Sequence, residues 1–262
     1  MSSLPSHGTS NVVDETVTIG GLPIVVTDRA GAAETMCRVA LERRGKGGRP
    51  LFVTSANGQV LAMCDRDPAI RELFLAADVI HADGMPMVFA SRFLAAKPLP
   101  ERVATTDLVH DVMARSHRYG LRNFLFGARP EINAAAIDNL RGLYPDAPEI
   151  RGHHGYFDAG EEEALVERIA EAAPDILWIG LGVPREQQFV LRNLHRLGSV
   201  GVIKTAGGLF DFLAGARRRA PLMLQKVGLE WAWRALLEPR RLGSRYLDTN
   251  FTALRLLLTR TH

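Results

Sequence analysis

Short apolar runs at 51–54, 79–81, 123–126, 176–180 and 200–204 have the length and composition of strands, and between them apolar residues recur every third or fourth position, at 67–77, 86–95, 107–119, 131–144, 161–172 and 186–197. Strand-length runs alternating with helical periodicity predict β-α units around a mostly parallel sheet, an α/β Rossmann-like fold flanked by helices. Residues 17–26, with Gly20-Gly21 between apolar residues, predict a hairpin at one edge of that sheet. After Arg219 the pattern changes. Pro221 opens an amphipathic stretch containing Trp231, Trp233, Leu236 and Leu237, which Pro239 breaks; a second helix from about Arg240 mixes arginines with Tyr246, Phe251 and the leucines of 254–258. The expected organisation is a disordered segment over 1–16, an α/β domain over 17–216 and a basic helical C-terminal appendage over 217–262.

Ligands of parallel α/β sheets bind where strands end and loops begin. Ser55 and Asn57 follow the first predicted strand, Asp83-Gly84 the second, Gly127 to Pro130 the third, Gly180 to Gln187 the fourth, and Gly207-Gly208 with Asp211 the fifth.

Composition adds exclusions. With 262 residues, 47% apolar and 23% charged, the chain is an ordinary globular sequence, neither fibrous nor disordered overall. No run approaches the ~20 apolar residues that cross a bilayer, so membrane contact is expected to be peripheral. The first fifteen residues lack a basic start and an apolar stretch, so no signal peptide is expected. Cys37 and Cys64 read as buried thiols of a reducing compartment. The net charge of +3 is unevenly spread: residues 217–262 hold ten Lys and Arg against three Asp and Glu, a balance of +7, and the rest of the chain carries −4. Basic residues and aromatics on amphipathic helices suit an anionic lipid surface. A helical pair packed on the core with a solvated basic face fits the same pattern.

Several motifs carry candidate chemistry. In His81-Ala82-Asp83-Gly84-Met85-Pro86 the carboxylate of Asp83 stands after a strand, placed either to take a proton from an attacking hydroxyl or to cap the next helix. Asp65-Arg66-Asp67 matches the D-x-D of metal-dependent glycosyltransferases, but Asp67 before Pro68 reads as a helix cap with proline in the first turn, and no metal site is expected. Gly180-Leu181-Gly182-Val183-Pro184-Arg185 begins like a dinucleotide fingerprint but has Arg185 where the third glycine belongs, which removes the main support for a nucleotide-dependent oxidoreductase. That loop still leads into a helix start, where amides and Arg185 suit a phosphate. His153 and His154 are adjacent, and on an extended segment they point apart. Arg102 is placed to pair with Glu101 or with a phosphate.

In order and spacing the segments TSANGQV, ADGMPMV, PERVATTDL, FLFGARPE, RGHHGYF, PDILWIGLGVPREQ, AGGLFDFLAG and RAPLMLQKVGLEWAWRALLEPRRLGSRY, spread over some 230 residues, resemble the WecG/TagA/CpsF glycosyltransferases. The resemblance implies an inverting transfer of sugar from a UDP-sugar donor to a polyprenyl-pyrophosphate-linked saccharide, with exopolysaccharide as the expected product class. It implies no cofactor, no essential metal and no nucleic acid partner. The family's proposed base falls on Asp83, its active-site asparagine on Asn57, and the hydroxyl two residues earlier on Ser55, with Thr54 adjacent. Its arginine falls on Arg102 and its G-G-x-F-D aspartate on Asp211. Gly127, Arg129, Gly182, Pro184, Glu186 and Gln187 become candidate donor contacts, although this chain reads Pro-Arg-Glu-Gln where the family commonly has Pro-Lys-Gln-Glu. The resemblance also implies that the arginine-rich tail brings the site to the membrane, with Arg217, Arg218, Arg219, Arg240, Arg241 and Arg245 facing headgroups or the acceptor's pyrophosphate. The expected location is the cytoplasmic side of the plasma membrane. A non-catalytic nucleotide-sugar or membrane-binding protein is the alternative reading, since fold alone does not establish chemistry.

Overall fold

The computed structural model describes residues 15–158, 160–237 and 239–262; the side chains of 226, 234–235 and 237–248 lie outside the described set. The expectation of a disordered 1–16 falls on residues outside it up to 14, and the first strand begins at Thr16. Along the chain the elements are β1 (Thr16–Ile19), β2 (Leu22–Val25), α1 (Arg29–Arg43), β3 (Leu51–Ala56), α2 (Gly58–Arg66), α3 (Pro68–Leu75), β4 (Val79–Ala82), α4 (Met85–Leu94), α5 (Thr105–Tyr119) and β5 (Asn123–Gly127). Then come α6 (Pro130–Leu143), β6 (Ile150–His153), α7 (Glu162–Ala172), β7 (Ile176–Gly180), α8 (Arg185–Asn193), β8 (Val202–Thr205), α9 (Leu209–Leu213), α10 (Leu222–Lys226), α11 (Glu230–Leu237) and α12 (Pro239–Thr259).

The parallel sheet runs β4-β3-β8-β7-β5-β6. Its central strands are apolar almost throughout because both faces are covered. Val53, Leu125, Trp178 and Val202 meet α1, α5 and α6 on one face; Phe52, Phe126, Leu177 and Ile203 meet α7 and α8 on the other. A third cluster joins Ile80 and Ala82 of β4 to the hairpin, α2, α4 and the end of α12. This is the expected α/β Rossmann-like fold.

Particular elements depart from the sequence reading for local reasons. The hairpin β1-β2 is a separate two-stranded sheet lying beside β4, not a hydrogen-bonded edge of the large one. Helix α1 was not legible because its buried face is built largely of small residues, Ala32, Ala33, Cys37 and Ala40, which give little contrast with the polar face. Strand β6, Ile150-Arg151-Gly152-His153, pairs with β5 alone and is buried only at Ile150, so it lacks an apolar run. Helix α2 is capped by Asn57, whose side chain accepts a hydrogen bond from the Val60 amide at 3.1 Å. The stretch after Pro221 is two helices, because Gly228 at φ +78° breaks the chain between α10 and α11.

The last helix is part of the body of the protein. Ala253, Leu256 and Leu257 are buried against α2 and the hairpin, Arg260 pairs with Asp65 at 3.1 Å, and the chain end is stitched to the hairpin by Gly21 N–H to Arg260 O at 2.9 Å and His262 N–H to Thr18 O at 3.1 Å. Leu222, Met223 and Leu236, by contrast, are exposed.

Candidate active site

At the carboxyl end of β4 the chain turns through Asp83, whose amide donates to Ala56 O at 2.7 Å, tying it to the end of β3. The side chain does not cap α4, which begins after Gly84 with no side-chain cap. Its Oδ2 instead accepts the backbone N–H of Thr105 at 3.2 Å, the first residue of the fifteen-residue α5, which has no cap of its own. The carboxylate thus sits at a helix N-terminus, where the dipole favours negative charge. Burial nevertheless pushes Asp83 above the usual carboxylate range, against the Thr105 hydrogen bond and the charges of Arg102 and Lys204. A carboxylate with a raised pKa is a better proton acceptor near neutrality than an exposed one.

Arg102 stands in the loop that Val103 N–H anchors to Ala82 O at 2.9 Å. Its guanidinium does not meet Glu101, which accepts from the Arg29 amide. It donates to Glu230 at 3.0 Å and to Gln225 at 3.3 Å, both in the tail, and lies 3.8 Å from Asp107. Arg219 donates to the same Gln225 at 2.8 Å and to Asp107 at 3.1 Å. Burial opposes charge on Asp107, but the hydrogen bond and charge of Arg219, with Arg102 and Arg29, outweigh it and hold this carboxyl below its usual range. Two arginines, two carboxylates and an amide therefore close the tail over the Asp83 end of the sheet.

Beneath this lies a buried polar floor. Ser55 and Thr54, adjacent on β3, face opposite ways. Thr54 shares a hydrogen bond of 2.7 Å with Thr205 and accepts from Gln187 at 3.1 Å, whereas Ser55 faces Thr105 at 3.3 Å and Lys204 at 2.8 Å. Of the two hydroxyls, Ser55 is the one on the Asp83 side. Lys204 is fully buried; burial pushes its ammonium down to about 8 against the charges of Asp83 and Glu186. Glu186 is buried too, with Oε2 accepting from Gly182 N–H at 3.2 Å and Gly207 N–H at 3.0 Å, and burial pushes it up to about 7. Glu186 and Gln187 thus point inward and brace two loops.

Those loops border a cleft of about 430 Å³ lined by Arg129, Tyr156, Gly182, Arg185, Gly208 and Asp211, among others. Next to its lining residues Ala128 and Gly180, glycine is required at position 127. A Cβ on Gly127, at φ +142°, would fall 2.3 Å from Gly180 O, so β5 and β7 approach here closer than any side chain permits. Pro184 follows Val183 through a cis peptide and stands at the N-cap of α8. Asp211 pairs with Arg217 at 3.3 Å; Arg129 and Arg218 are exposed. Arg240, Arg241 and Arg245 lie outside the described side chains. A larger hollow, about 710 Å³, runs along the edge strand β6 between α6 and α7 and contains none of the predicted site residues.

The D-x-D carboxylates separate. Asp67 caps α3, accepting from Ala69 N–H at 2.9 Å, and Asp65 pairs with Arg255 and Arg260. His153 and His154 do not point apart: the strand ends there and their rings lie 4.3 Å from each other. Sequence reasoning missed Lys204, Thr105, Asp107, Gln225 and Glu230. Lysine inside an apolar strand run was the one available signal, since lysine is almost never fully buried without partners; the others have no local pattern.

The family model described as Glycosyl transferase WecG/TagA/CpsF family matches residues 17–262. Among curated proteins, an N-acetylglucosaminyldiphosphoundecaprenol N-acetyl-beta-D-mannosaminyltransferase of Staphylococcus aureus strain MRSA252 is 33% identical over 193 residues, 74% of each chain. The protein of the same description from strain NCTC 8325 / PS 47 has the same identity and coverage.

Proposed function

The chain belongs to the WecG/TagA/CpsF family of glycosyl transferases, and from that premise we propose that it transfers a sugar from a UDP-sugar, with inversion, to a saccharide carried on a polyprenyl diphosphate in surface-glycan synthesis, exopolysaccharide first. The observation that carries the reading is Asp83: a carboxylate raised by burial, held by the Thr105 amide at the carboxyl end of β4 and beside Arg102. Inversion needs one base. Asp83 takes the proton of the acceptor hydroxyl as that oxygen bonds to the anomeric carbon, and the bond from that carbon to the phosphate oxygen breaks with its electron pair leaving on UDP. The growing charge on the diphosphate calls for fixed cations, worth most where water is excluded. Arg102 and Arg219 supply them at the Asp83 end, and Arg129 and Arg185 line the cleft that suits the nucleotide.

No described helix is long and apolar enough to cross a membrane. A lipid-linked acceptor is reached from the surface, and the exposed Leu222, Met223 and Leu236, with the exposed Arg217 and Arg218 shortly before Leu222 in the sequence, are the residues offered to it, at the cytoplasmic side. The relatives' description, an N-acetyl-beta-D-mannosaminyl transfer to N-acetylglucosaminyldiphosphoundecaprenol, makes UDP-N-acetylhexosamines the first donors to try. A panel of UDP-sugars with a polyprenyl-diphosphate-linked N-acetylglucosamine acceptor in detergent, with and without EDTA, tests the reading. EDTA-resistant release of UDP that disappears in Asp83→Asn supports it, and full turnover in Asp83→Asn removes Asp83 from the reaction.

A further inference from the structure

Lys204 is the most unusual side chain in the sheet. It lies on the central strand β8, in register with Val53 of β3 and Trp178 of β7, where the surrounding residues are apolar. Its side chain is wholly out of solvent, and an isolated ammonium there would be costly. It is not isolated. Nζ donates to Ser55 Oγ at 2.8 Å, to Thr205 O at 2.8 Å and to Thr105 Oγ1 at 3.4 Å. An ammonium has three N–H donors, and three acceptors meet them. The pocket is thus built for the charged form, and its acceptors all belong to strand ends or helix starts that open on the site.

One of those acceptors connects directly to the proposed base. Thr105 receives Lys204 through its hydroxyl and, through its own backbone N–H, holds Asp83 Oδ2. We propose that Lys204 is a positioning residue of the transfer: its buried charge fixes the Thr105 helix start and the Ser55 hydroxyl, and through them the orientation and ionisation of Asp83. The inference rests on Asp83 being the base. The charged and titratable groups facing this cluster are Asp83 and His81 of the β4 end, Arg102 and Arg219, Glu186 of α8 and Glu230 of α11. His81 is held neutral, pushed down to about 3 by burial and by Lys204. Among the described buried groups of the floor Lys204 is therefore the one cation, and its charge favours the ionised forms of Asp83 and Glu186.

The test compares pH profiles of UDP release for the wild type, Lys204→Met, Thr105→Val and Asp83→Asn. Methionine matches the lysine stem in size without its charge. Folded Lys204→Met is expected to lose about ten-fold in kcat at pH 7 with donor KM little changed, and to show the acid limb of kcat/KM moved up by about one pH unit, the low end for losing a nearby opposite charge. Thr105→Val keeps the lysine and the backbone N–H but removes one acceptor, and a smaller move in the same direction is expected. A folded Lys204→Met with wild-type kcat and an unmoved acid limb overturns the proposal. If Lys204→Met does not fold, an unmoved limb in Thr105→Val overturns it and a raised one supports it. Full turnover in Asp83→Asn sinks the base assignment instead; an inactive Asp83→Asn beside an unperturbed Lys204→Met sinks only the role of Lys204.

Discussion

Arg102 donates to the carboxylate of Glu230 at 3.0 Å, across 128 residues of sequence. The pair joins the loop between α4 and α5 to the helix α11 and brings the tail over the residue proposed as the base. Both side chains are largely screened from solvent, 12% and 17% exposed, so removing one partner deprives the other charge of this contact away from water, a larger loss than at a surface ion pair. A diphosphate bound at Arg102, as proposed, would compete with Glu230 for the guanidinium and so would couple binding to the position of the tail.

Removing that link loosens the tail without unfolding the domain. In Glu230→Ala, hydrogen exchange across 222–237 is expected to quicken, corresponding to a loss of about 1–3 kcal/mol of local stability, with the amides of β3, β7 and β8 unchanged. Unchanged exchange in α10 and α11 would mean that the burial of Gln225 and the remaining contacts hold the tail alone.

Loss of the base falls on the chemical step. Asp83→Asn is expected to lower kcat by about 10²–10⁴-fold while leaving donor KM within a few-fold, the signature of an interaction made in the transition state. Steady-state UDP release at saturating acceptor checks this; an equal rise in KM with kcat intact would assign Asp83 to binding.

Glu186 sets a pH dependence of stability. Burial pushes its pKa up to about 7 from an ordinary 4.5, so the native state holds a proton that the unfolded chain releases. Its stabilising contribution is complete below pH 4.5 and is lost as pH rises through 7. Glu186→Gln, which keeps an acceptor for Gly182 and Gly207, removes this term, so the difference in Tm between pH 5 and pH 7 is expected to shift in favour of pH 7. An identical difference in the two proteins would show that Glu186 does not titrate in that window.

The contact between β5 and β7 tolerates no side chain. Gly127→Ala places a methyl group 2.3 Å from Gly180 O at φ +142°, and a destabilisation of about 2–5 kcal/mol is expected from strain and overlap together. Thermal melting measures it, and a Tm within a degree or two of wild type would show that the strands can part here.

The surface proposed to face lipid is open to direct trial. Leu222 and Met223 are 71% and 81% exposed, and replacing both with Asp is expected to cut co-sedimentation with anionic liposomes by at least ten-fold. Retained binding would exclude this face as the contact.

The sequence by itself determined the layers. Runs such as Ile176–Gly180 are apolar because strands covered on both faces have no polar side to show, and the amphipathic stretches between them have one face to bury, so α/β architecture follows from local pattern. Candidate positions after strands were legible for the same reason: chain direction in a parallel sheet puts every loop of one kind at one end. Tertiary structure decided what those residues do to each other. Glu186 and Gln187, candidate donor contacts by resemblance, turn inward to Gly182, Gly207 and Thr54, and Arg102 chose Glu230 over its neighbour Glu101. Pairings across 100 or more residues leave no periodicity, because they are fixed by where helices and strands end in space. Lys204 shows the limit best: the sequence presents only a lysine in an apolar strand, and it takes the convergence of β3, β8 and α5 to surround its charge with Ser55, Thr205 and Thr105.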